Sequence, residues 1–205
     1  MKKIDRSTVS PKCLSKYKHG EDNWDSVTST DKEFIRKELN GLQNSRCAYC
    51  ELKFSEENLF QIEHFNRRND YPKEIFDWNN LFNSCKSTDT CGHFKDGPKN
   101  KFRDLKIIKP DVENPCQYLK CEISGKLTTR RDSMCQALSS NTINRLNLNH
   151  EKLIGQRKEF IRSLLNALNE IELANFSISE KDELMIELKN EHINGSFNLV
   201  LNSIV

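Results

Sequence analysis

A chain of 205 residues, 36% hydrophobic and 30% charged, is long enough for one domain with a modest core and helical additions, and suits a soluble protein. No apolar run approaches the roughly 20 residues of a membrane span. The basic opening MKKIDRSTVSPKC lacks the apolar stretch of a secretory signal, so the cytoplasm is the expected compartment. The net charge of +2 says little about nucleic acid, but its distribution says more. Residues 86–131 carry 11 Lys/Arg against 6 Asp/Glu, and residues 151–205 carry 6 against 9. A basic middle facing a polyanion and an ordinary solvated surface both fit that pattern.

Residues 1–30 read as an irregular, partly extended arm. The stretch STDKEFIRKELNGLQN predicts a helix capped by Ser29 or Thr30, with Phe34, Ile35, Leu39 and Leu42 near one face. SRCAYCEL follows as a tight knuckle, and NLFQIEHF, rich in β-formers, as a short strand. NRRNDYPKEIFDWNNLFNSC reads as a loop anchored by Phe76, Trp78 and Leu81. CGHFKDG predicts a short helix stopped at Gly97-Pro98, and CQYLKCEISGKLTTR a hairpin turning at Ser124-Gly125. From Asp132 onward the pattern is helical. It includes a stripe of Leu153, Phe160, Leu164 and Leu168, then a third helix capped by Ser179. The fold class expected is α+β, mostly helical. A zinc-stabilised core spans 47–110, an N-terminal arm and helix 1–46, and a hairpin with C-terminal helices 111–205.

Eight cysteines in a chain without an export signal point to metal rather than disulfides. Cys47 and Cys50 stand two residues apart, the usual reach for two thiolates of a tetrahedral zinc, and Cys85 with Cys91 completes a four-cysteine set. Five residues separate that second pair, where a common zinc ribbon has two. A redox pair is the competing reading of Cys47 and Cys50, but the sequence after them leads into a polar loop rather than a long helix. Cys13, Cys116, Cys121 and Cys135 read as small buried hydrophobes. Structural zinc would contribute on the order of 10 kcal/mol to a loop-rich module that buries little apolar surface of its own.

The ordered set CAYCE, IEHF, YPKEIFDWNNLFNSC and CGHFKDG resembles the HNH endonucleases, whose zinc-bound members hold a ββα-metal site between two cysteine pairs. MKKIDR, Trp24, QNSRCAYCE and TINRLNLNHEKLIGQRKEF extend the likeness to the HNH subunits of Septu and retron anti-phage systems, over most of the chain. The resemblance implies a metal-dependent nuclease with His64 as general base, Asn80 holding the His64 ring, and Glu63 ligating a catalytic Mg²⁺ or Mn²⁺. In many relatives the last ligand directly follows the second cysteine. That position is Gly92 here, so His93 is the expected substitute. Arg67, Arg68, Lys95, Lys99, Lys101 and Arg103 are candidate phosphate contacts. The implied partners are a nucleic acid substrate, DNA or RNA, and an ABC/SMC-like ATPase (PtuA). Retron systems add a reverse transcriptase with its RNA–DNA hybrid. The ATPase must be another chain, because no GxxxxGK[ST] loop occurs here. The alternative function is a non-catalytic zinc module that binds nucleic acid or bridges proteins. One physical tension stands out: neighbours on a strand point to opposite faces, so Glu63 and His64 share a site only where the strand ends or bulges.

Overall fold

The computed structural model describes residues 1–6, 9–54, 60–98, 100–102, 104–131, 135–193 and 197–204. The architecture is α+β, with helices around two small antiparallel sheets. Helix α1 spans Ser29–Gln43, and its cap is Thr28, whose hydroxyl accepts from Asp31 N at 3.1 Å, one residue before the expected Ser29 or Thr30. Ile35 and Leu39 bury completely against Leu14, Val27, Trp78 and Leu81, forming one of two cores. Asn44 ends the helix in the left-handed conformation (φ 50°), which asparagine adopts more readily than most residues.

The chain then folds back as a tight loop. Cys47 N donates to Leu52 O at 3.0 Å, Glu51 N to Cys47 O at 3.1 Å, and Phe54 N to Ser45 O at 2.8 Å. Strand β1 (Phe60–His64) pairs antiparallel with β2 (Leu81–Cys85), from Phe60 opposite Cys85 to His64 opposite Leu81. Pro72 and the repeated Asn/Asp of 66–85 read as loop, yet 81–85 is a strand that carries Asn83 and Ser84. Both are fully buried, and the partners of Asn83 lie far away in the chain. The Gln43 amide accepts from Asn83 N at 2.8 Å and donates to Asn83 O at 2.9 Å, while Asn83 Nδ2 donates to Arg36 O and Asn40 Oδ1. The end of α1 thus pays the desolvation of β2 in hydrogen bonds.

Helix α2 (Cys91–Asp96) follows, so that β1, β2 and α2 make a β-β-α unit. Strands β3 (Leu119–Cys121) and β4 (Leu127–Thr129) form the expected hairpin, with Gly125 at φ 80°. A Cβ on Gly125 would stand 2.5 Å from Ile154 O, so glycine is required for both conformation and contact. Helices α3 (Gln136–Arg145), α4 (Glu151–Leu173) and α5 (Ile178–Ile193) complete the helical part. Ser177 rather than Ser179 caps α5, exchanging hydrogen bonds with Glu180. A further helix, α6 (Asn198–Ile204), was not read from the sequence. It packs on β3, where Ser203 Oγ accepts from Cys121 N at 2.9 Å. The main core joins Tyr49, Phe82, Ile108, Leu119, Leu146 and Leu148, each fully buried. No helix among the described residues is long and apolar enough to cross a membrane.

Candidate metal centre and active site

The sulfur atoms of Cys47, Cys50, Cys85 and Cys91 all lie within 4.8 Å of one another. A tetrahedral zinc with Zn–S of about 2.3 Å sets its sulfurs about 3.8 Å apart, so the four donors fit the ion with small adjustments. The wide spacing of the second pair is absorbed by the 86–90 loop. Cys91 itself takes a positive φ of 59°, and its N–H is fixed to Leu146 O at 2.8 Å. The thiols act on one another. Burial opposes ionisation at Cys47, yet hydrogen bonds from Cys50, Cys85 and Cys91 hold it well below the usual thiol range. Cys91 is pushed up, first by burial and then by its cysteine neighbours. A divalent cation would remove that mutual repulsion.

Among the other cysteines, Cys13 and Cys121 are buried as expected and Cys116 is half-buried. Cys135 departs from the expectation. It is exposed, and its sulfur caps α3 by accepting from Leu138 N at 3.4 Å.

Beside this cluster, a cleft of about 620 Å³ opens between the end of β1 and α2, and its walls include Trp24, Glu63, His64, Arg68, His93 and Asp96. Strand β1 ends at His64, and the two neighbours still point apart, although both border the cleft. Glu63 turns toward α2, where Gly92 and Lys95 meet it, and His64 turns toward Trp24 and Ile75. His64 is 6% exposed. Its Nε2 lies 3.0 Å from Ile75 O. A carbonyl only accepts, so Nε2 carries the proton and Nδ1 keeps the lone pair. The Trp24 ring stands nearly perpendicular to it, with centroids 4.5 Å apart. Burial lowers the His64 pKa to about 4, Arg68 and Lys95 add to that, and the Ile75 contact opposes it.

Asn80 does not touch the His64 ring, which corrects one expectation. Its Oδ1 accepts from Asn66 N at 2.7 Å, and its Nδ2 donates to Asn66 O and Glu74 O, both at 3.1 Å. Asn80 therefore closes the 66–80 loop and, through Glu74, sets the adjacent Ile75 carbonyl that meets the ring. Glu63 is 5% exposed and pairs with Lys95 Nζ at 3.0 Å. Burial lifts its carboxyl to about 7, with Lys95 pulling the other way. Glu63 Oε1 makes no well-formed hydrogen bond and is met only by the Lys95 charge, and a buried carboxylate at a cleft wall suits a hard cation. His93 is exposed at the same wall.

Lys95 corrects a second expectation. It is fully buried and held inside the protein, so it does not present its ammonium to an incoming phosphate. Arg67 pairs with Asp70 and Asp96, at 3.3 and 3.6 Å. Arg68 lines the cleft, 4.0 Å from Asp25, and Lys101 is exposed. Lys99 and Arg103 lie outside the described residues. The sequence reading missed the Ile75 carbonyl and the roles of Trp24, Asp96 and Gly92 at the cleft. A backbone carbonyl leaves no signal in residue identity, and Trp24 sits 40 positions upstream of the histidine it covers.

No family model matches the chain. Over 90 residues it is 32% identical to the Septu protein PtuB of Bacillus thuringiensis, a match covering 43% of this chain and 33% of PtuB. The chain is a relative of PtuB. The match spans only a third of PtuB's length. A second relative covers more: the retron Vc95 protein of Vibrio cholerae serotype O1 biovar El Tor, which carries an HNH endonuclease name. Identity there is 28% over 146 residues, 67% of this chain and 68% of that protein. The resemblance to the HNH proteins of defence systems read from the sequence is thus borne out by PtuB and the retron protein alike.

Proposed function

We propose that this protein is an HNH endonuclease that hydrolyses phosphodiester bonds in nucleic acid as the effector of an anti-phage defence system. The observation that carries the reading is the state of His64, a neutral imidazole fixed through Nε2 at the wall of a cleft it shares with Glu63. His64 takes a proton from an attacking water at Nδ1, a task worth about 10²–10⁴-fold in rate. Ile75 and Asn80 hold the tautomer and the loop behind it. Glu63 and His93 would hold a Mg²⁺ or Mn²⁺ ion, which supplies charge stabilisation at the phosphate and the leaving oxygen. Arg68 and Lys101 would contact neighbouring phosphates, which positions a strand without reading its bases. The four thiolates would hold a structural zinc, taking no part in the chemistry.

The name of PtuB, a Septu protein, supports a partner in such a system, an ABC/SMC-like ATPase of the PtuA kind. In a retron setting a reverse transcriptase with its RNA–DNA hybrid would join it. Leu173, Phe176, Ile178 and Ile186, at 77, 47, 82 and 58% exposure on α4, α5 and their link, support docking through the C-terminal helices.

The test is cleavage of labelled single- and double-stranded DNA and RNA in the presence of Mn²⁺ by the wild type and by His64→Ala. Loss of cleavage with zinc content and circular dichroism unchanged is the expected result. Equal cleavage by the variant refutes the catalytic assignment. A wild type that binds nucleic acid without cutting any substrate favours the non-catalytic zinc module.

A further inference from the structure

Lys95 takes no part in the chemistry proposed above, yet the fold buries it completely. Its ammonium lies 3.0 Å from Glu63 Oε1 and 2.9 Å from Asp96 Oδ1, and it also reaches the carbonyls of His64 and Phe65 at 3.0 and 2.9 Å. A lysine ammonium has three protons, and here four acceptors surround it. Glu63 Oε1 is the one whose hydrogen bond is poorly formed, so its tie to Lys95 is chiefly charge attraction. On its other side, Glu63 is pressed against the α2 backbone. A Cβ at Gly92 would stand 2.3 Å from Glu63 Oε2. The carboxylate therefore fills the space that a side chain at position 92 would otherwise occupy, on the cleft wall.

Burying an ammonium costs several kcal/mol unless charges and hydrogen bonds compensate it. The compensation here comes from the carbonyls of His64 and Phe65 at the end of β1, from Asp96, and from the Glu63 carboxylate on the cleft wall. We propose that Lys95 is a positioning residue. It clamps Glu63 and the end of β1 onto α2, and as a built-in cation it competes with a divalent ion for the Glu63 carboxylate. The affinity of the cleft for its metal is then held low by Lys95. This inference rests on the reading of Glu63 as a metal ligand, and an ammonium and a divalent ion sharing one carboxylate in a buried site repel strongly.

The experiment measures Mn²⁺ binding by electron paramagnetic resonance on the zinc-loaded full chain, comparing wild type, Glu63→Ala, Lys95→Met and Lys95→Arg. The expected result is Mn²⁺ binding at least about tenfold tighter in Lys95→Met, with Lys95→Arg near the wild type. The same Lys95→Met variant is expected to lose kcat while its metal requirement falls, a split that plain destabilisation does not produce. Mn²⁺ binding to Lys95→Met that equals or falls below the wild type, in folded protein, overturns the inference alone. Absence of Mn²⁺ binding to the wild type, or binding unchanged in Glu63→Ala, overturns the metal reading of Glu63 and this inference with it. Should Lys95→Met fail to fold, the wild type decides by lysine-selective NMR during a Mg²⁺ titration. A shift of the Lys95 signal upholds competition, and an unmoved signal ends it.

Discussion

His64 donates its Nε2 proton to the backbone oxygen of Ile75 at 3.0 Å, so a loop carbonyl 11 residues downstream decides which ring nitrogen is basic. The same burial that fixes the ring lowers its pKa to about 4. Between about pH 4 and 6.5 the native state therefore binds fewer protons than the unfolded chain, and this group makes stability rise with pH. Its contribution is fully present above 6.5 and is lost as pH falls toward 4. The stability gap between wild type and His64→Gln should shrink by about 2 kcal/mol from pH 6.5 to 5. Glu63, lifted to about 7, acts with the opposite sign from 4.5 to 7, but it is present in both proteins and cancels. Denaturant unfolding at the two pH values checks this, and a constant gap refutes it.

Asn80 reaches the histidine only through the loop it closes. Asn80→Ala leaves Asn66 N and Asn66 O without partners and Glu74 O with Asp77 N alone, at a cost of about 1–3 kcal/mol. The melting temperature should fall, and the His64 imidazole signals in NMR should broaden as the Ile75 carbonyl loses its place. Asn80→Asp keeps the acceptor for Asn66 N but not the two donors, and should fall between.

Gly92 matters for what it lacks. In Gly92→Ala the added carbon meets Glu63 Oε2 at 2.3 Å, and the carboxylate must move because α2 and Lys95 confine it. Overpacking of this kind costs about 1–3 kcal/mol. Cleavage should drop more than stability does, since the displaced group is the proposed ligand. Unfolding curves and kcat measured side by side give the answer, and an unaffected kcat would place Glu63 outside the chemistry.

Zinc should be inseparable from the fold around the cleft. The four sulfurs tie the 45–54 loop to β2 and α2. Cys47→Ser should abolish stoichiometric zinc in metal analysis and, with it, cooperative unfolding, because structural zinc supplies on the order of 10 kcal/mol to such modules. Full zinc retention in that variant would rule out the four-thiolate site.

What the sequence determined alone is what short spacing and periodicity encode. The Cys47–Cys50 turn, the α1 stripe of Ile35 and Leu39, the short strand that carries Glu63 and His64, and the Gly125 turn each follow from residues within a few positions of one another. Tertiary structure decided the rest. β2 can bury Asn83 because Gln43, 40 residues earlier, bonds its backbone while Arg36 and Asn40 take its side chain. Lys95 reads as a surface cation until Glu63 and two carbonyls are found around it. The proton on His64 is placed by a carbonyl that any residue would carry. Polar groups are read correctly only with their partners in view, because burial makes a satisfied group stable and an unsatisfied one costly, and those partners come together only when the chain folds.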